Sequence, residues 1–195
     1  MVFFVYGGET VRNSSTRNLT LSGLSLALGL LLPFLTAQIP SLGSRLLPMH
    51  LPALLCGLIC GWQYGLVVGL ITPVFRSLLF GMPPMFPTAV AMSFELAAYG
   101  LAAGYIYRLP SRKAASVYPA LIAAMIIGRI VWGVASMLLF RLGGNAFTWK
   151  LFLGGALLNA IPGILLQLVL IPLIMFALAR SSLIAGLTLG QGQPD

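Results

Sequence analysis

Residues 71–99 read ITPVFRSLLFGMPPMFPTAVAMSFELAAY, and the rest of the chain arranges itself around them. The stretch spells the end of one membrane helix, a proline-rich turn and most of the next membrane helix. Pro83, Pro84 and Pro87 each lack a backbone donor and restrict the residue before them. Gly81–Pro87 is therefore a short, stiff turn and not regular helix. Arg76 precedes the turn and Glu95 follows it, each set in apolar sequence. A charge at the centre of a bilayer costs about 2.5–3.5 kcal/mol on insertion scales. Both residues are expected to face a protein interior or a wet cavity, and pairing with each other is one arrangement open to them.

The surrounding composition agrees. Of 195 residues, 59% are hydrophobic and 7% are charged, and mean hydropathy is +1.00. Soluble domains carry about 25% charged residues, so this is a polytopic membrane protein. At about 20 residues per span there is room for about five to seven helices and no soluble domain. The expected fold is an all-α bundle of about six transmembrane helices. The spans run from about Leu19 to Ile39, Pro48 to Gly61, Gly65 to Phe80, Thr88 to Tyr107, Tyr118 to Phe140 and Leu151 to Ala179. The second is short and the third is interrupted by Pro73, which suggests irregular backbone lining a cavity.

Six spans place both termini on one face. Arg12, Arg17, Arg108, Arg112, Lys113 and Arg180 lie on that face, against Arg45, Arg141 and Lys150 on the other. The bias predicts cytoplasmic termini. Residues 1–18 then form a mobile cytoplasmic lead, 19–180 the membrane domain and 181–195 a cytoplasmic tail. The formal charge of +8 is accounted for by these connections and gives no reason to expect nucleic acid. The sequons at Asn13 and Asn18 fall on the cytoplasmic side and are discounted, and MVFFVYGGE lacks the layout of a signal peptide. Cys56 and Cys60 share a helix face without a redox or zinc spacing, and read as small packing residues.

The chemistry available is sparse. One histidine and three acids, two of them (Glu9 and Asp195) near the termini, cannot build a metal site or a carboxylate pair. His50 has no GxSxG nucleophile context to serve, and no Walker motif is present. The enzyme reading is poor and no cofactor is expected. What remains is a set of polar groups in apolar helices: Arg76, Glu95, Arg129, Asn159 and Gln167, with His50 at the outer mouth of the second span. Met85, Phe86, Tyr99 and Trp132 stand among them. Apolar walls with a few oriented polar groups make a small-molecule pocket. A structural ion cluster of Arg76, Glu95 and Arg129 is the alternative reading of the same residues.

On the first span, Gly23 and Ala27, and Ser25 and Gly29, form strips of small residues four apart, suited to close helix approach. Together with Pro48-Met-His-Leu-Pro52, Gly65-x-x-x-Gly69 and the proline-rich turn at 81–87, they give the chain its likeness. It resembles the substrate-binding S components of energy-coupling factor (ECF) transporters over nearly its whole length. The resemblance implies a multi-pass subunit of a bacterial plasma membrane that captures a vitamin or related micronutrient from outside. It also implies partners, a transmembrane coupling subunit and two ATPase subunits. The small residues of the first helix would be the docking strip, although the family's Ala pair is absent here. By position, the resemblance points to Glu95, Arg129, Asn159 and Met82–Phe86 as ligand contacts. A non-transporting structural subunit is the competing reading, in which the charges pair only with one another.

Overall fold

Apolar runs punctuated by glycine and proline fold into six helices and no strand among the residues described. The computed structural model describes residues 4–35, 46–109, 116–142, 154 and 160–180. In chain order these are α1 (Phe4–Leu35), α2 (His50–Cys60), α3 (Trp62–Phe80), α4 (Val90–Arg108), α5 (Val117–Leu142) and α6 (Ile161–Arg180). Among the described residues, five stretches are long and apolar enough to cross a membrane, α4 counted with its lead-in from Met85. The sixth helix, α2, has 11 residues. At 1.5 Å per residue it covers roughly 16 Å of a hydrocarbon core about 30 Å thick.

One expectation changes, in α3. Helix α1 begins at Phe4, ahead of the stretch Ser15–Phe34 that is long and apolar enough to cross a membrane. No proline interrupts the run before Pro33, and α1 ends two residues after it. Helix α3 runs unbroken through Pro73, which is buried. Neighbouring helices hold the backbone where the proline removes a hydrogen bond, and the Thr72 hydroxyl donates to the Val68 carbonyl at 2.6 Å one turn earlier. The proline turn itself is as expected. Gly81 closes α3 at φ 70° and donates to the Ser77 carbonyl. Phe86 is extended (φ −118°, ψ 134°), and the chain winds through Met85–Ala89 into α4.

Glycines set how closely α2, α3 and α4 approach. A β-carbon on Gly57 would collide with the Gly100 carbonyl, and one on Gly100 with the Gly65 carbonyl. On Gly65 it would lie 2.6 Å from the Gly57 Cα, and on Gly69 it would strike the Leu96 carbonyl. The three helices thus meet backbone to backbone, the mode of packing that membranes favour. Helix α5 joins through Gly128, whose missing side chain leaves room for the Tyr99 ring. The main core is Leu54, Leu58, Tyr99, Ala103, Leu121 and Ala124, with Ile171 of α6 against it. Cys56 and Cys60 are free, buried packing residues in a second cluster with Val68, next to Leu21 and Leu26 of α1. Outside this core, Leu78, Ile126, Leu138, Val169 and Leu173 are exposed, as lipid-facing side chains are in a multi-pass protein.

Candidate functional site

The packing that joins α2, α4 and α5 brings three ionisable side chains together. Glu95 lies midway along the span Met85–Arg108, and Arg129 midway along Val117–Leu142. Helix α2 is too short to reach the membrane surface at both ends, so its first residue, His50, starts inside the bundle at the level of Glu95. Register explains the meeting. Helix α2 is parallel to α4, with Gly57 against Gly100 and Arg108 donating to the Cys60 carbonyl at 3.2 Å. Carried back along α2, the same offset sets His50 beside Glu95.

The geometry is that of a buried ion pair with a histidine on its flank. Arg129 Nη1 lies 2.9 Å from Glu95 Oε1, and His50 Nε2 lies 3.3 Å from the same oxygen. Glu95 is 2% exposed, His50 1% and Arg129 12%. Neither contact is aligned as a hydrogen bond. Glu95 Oε1, both His50 ring nitrogens, and Arg129 Nε and Nη2 are buried without a hydrogen-bond partner. Tyr99 packs edge-on against His50, with ring centroids 5.1 Å apart. No side chain caps the N-terminus of α2, so its partial positive charge adds to the field at this point. Buried polar atoms are usually bonded, and here five of them converge on one spot. Such a set can hold a polar group of a small molecule against apolar walls.

Of the residues expected at the site, the fold gathers Glu95, Arg129, His50 and Tyr99. His50 sits inside the bundle and not at an outer mouth, because α2 ends short. Arg76 stands apart. Its Nη1 donates to the Leu30 carbonyl of α1, and its guanidinium lies 5.0 and 5.4 Å from the rings of Phe34 and Phe80. The pairing of Arg76 with Glu95 is therefore not formed. Phe86 is half exposed and Met85 partly buried in the turn before α4. Trp132 is partly buried, one turn along α5 from Arg129. Asn159, like residues 36–45 and 143–153, lies outside the described residues.

Ser136 was not foreseen. It is fully buried, and its hydroxyl has no hydrogen-bond partner. Seven residues bring an α-helix back to the same face, so the spacing Arg129…Ser136 was the available signal. Gln167 of α6 is also buried and donates to the Leu47 carbonyl just ahead of α2, at 3.4 Å.

The small residues of α1 divide between two faces. Gly23 and Ala27 are exposed, and a β-carbon on Gly23 would meet nothing. Ser25 donates to the Leu21 carbonyl within its own helix, while Gly29 is buried against Thr72.

Neither a curated protein nor a solved structure gives a significant match to the chain. A family model described as ECF transporter, substrate-specific component, matches residues 17–189. The match takes in α2 to α6, every residue of the cluster and the exposed strip of α1. The chain thus belongs to this family: it is the substrate-specific, multi-pass membrane subunit of an ECF transporter, a component that takes a small-molecule substrate and associates with coupling and ATPase components.

Proposed function

We propose that the chain captures a vitamin or a related micronutrient at the cluster of Glu95, Arg129, His50 and Tyr99. The single observation behind this is the concentration of unsatisfied, buried polar atoms where α2, α4 and α5 meet. An ion pair kept only for stability would be expected to satisfy its own donors and acceptors, because breaking or underusing a buried pair is costly. A ligand that supplies the missing partners accounts for both the burial and the vacant bonds. In this reading the ligand enters from outside a bacterial plasma membrane, both termini are cytoplasmic, and Asn159 contributes from the segment before α6. The outward strip of Gly23 and Ala27 docks the coupling subunit, which carries two ATPase subunits.

The test compares Glu95→Gln with Arg129→Gln by titrating the small molecule recovered from the purified wild-type protein. Glu95→Gln removes charge at nearly constant volume, and Arg129→Gln removes charge and shortens the side chain. A charged hydrogen bond is worth about 1.5–3 kcal/mol, so affinity falls roughly ten- to a hundredfold. Unchanged affinity in both variants, with thermal stability lost, would mean that the charges serve the fold alone, as in a structural subunit.

A further inference from the structure

The guanidinium of Arg129 is engaged at one corner only. Nη1 meets Glu95, whereas Nε and Nη2 are buried and without a hydrogen-bond partner. Those two nitrogens carry the parallel N–H bonds of the side-on edge, whose spacing matches the two oxygens of a carboxylate. Charge narrows the class of ligand. Arg129 contributes one positive charge and Glu95 one negative, and the uncapped start of α2 adds a partial positive charge. These sum to a partial positive charge, so among anions a singly charged one leaves the smaller imbalance. A doubly charged phosphate would set two negative charges against Glu95 in a site withdrawn from water.

We propose that the substrate of this subunit carries a carboxylate, gripped side-on by Nε and Nη2 of Arg129. The vacant His50 nitrogens provide a second polar contact beside it, and the Tyr99 ring a flat wall. This rests on the reading that the cluster is the ligand site.

The experiment uses the purified full chain in detergent and follows thermal unfolding and affinity with defined probes. Nicotinate, pantothenate, biotin, lipoate and folate are each tested beside their amide or methyl ester. Thiamine, riboflavin and pyridoxine serve as compounds without a carboxylate. One of the acids should stabilise the protein, and its ester or amide should bind at least about tenfold more weakly. Arg129→Lys keeps the charge but loses the side-on fork, and should weaken the acid by a similar factor and its ester by less. Equal binding of acid and ester, or no stabilisation by any acid, overturns the proposal. Should a compound without a carboxylate bind and be weakened by Glu95→Gln, the carboxylate fails and the site survives. If a compound binds equally well to wild type, Glu95→Gln and Arg129→Gln, both the site and the carboxylate fail.

Discussion

Arg76 and Arg129 are the same side chain in similarly apolar sequence, and the fold uses them differently. Arg129 holds Glu95, while Arg76 ties α1 to α3 through the Leu30 carbonyl and two phenylalanine rings that themselves meet edge to face at 4.9 Å. That buried charges would stand in these helices was legible from composition and span length. Which arginine Glu95 would choose was not, because pairing depends on register. Gly65 lies against Gly100 and Gly69 against Leu96 in an antiparallel pair, which sets Arg76 level with residue 89. That is roughly 9 Å beyond Glu95 at 1.5 Å per residue. Arg76→Gln should therefore lower stability by about 2–3 kcal/mol, the scale of a charged hydrogen bond with cation–π support. Ligand affinity, measured by titration beside the unfolding curve, should stay within about twofold. A loss of affinity equal to that of Arg129→Gln would return Arg76 to the site.

Helices meet here through what glycine lacks. Gly57, Gly65 and Gly100 sit where a β-carbon would run into backbone atoms, which cannot rotate away as a side chain can. Gly100→Ala should cost at least the 1–3 kcal/mol typical of overpacking, read as a lower unfolding temperature and reduced yield of folded protein. Normal stability would mean that α3 and α4 approach less closely than described. The same logic divides α1. Two residues along an α-helix turn about 200°, so Gly23–Ala27 and Ser25–Gly29 cannot share a face, and only the first pair looks outward. The strips were legible in the sequence, and helical geometry alone could have separated them. Gly23→Leu and Ala27→Leu should leave isolated stability unchanged and abolish co-purification with the coupling subunit. Gly29→Leu should instead destabilise the subunit itself, since its side chain would run into Thr72. Intact assembly of both Gly23→Leu and Ala27→Leu would remove this face from the docking surface.

At the scale of the whole molecule, α2 to α5 form a tight centre, with α1 held on one side by Arg76 and Gly29 and α6 reaching in through Ile171 and Gln167. Composition foretold the membrane bundle, and the proline turn foretold the hairpin of α3 and α4. The depth of His50 was hidden, because an apolar run such as Leu46–Cys60 does not say where its helix begins. That depth completes the cluster, and the account stands or falls on the cluster holding substrate. The most direct measurement is mass spectrometry of small molecules released from the purified subunit, alongside His50→Gln and Arg129→Gln prepared in the same way. The account predicts one compound in about stoichiometric amount from the wild type and little or none from either variant, with both variants still folded. Recovery of the same compound in the same amount from all three would contradict it.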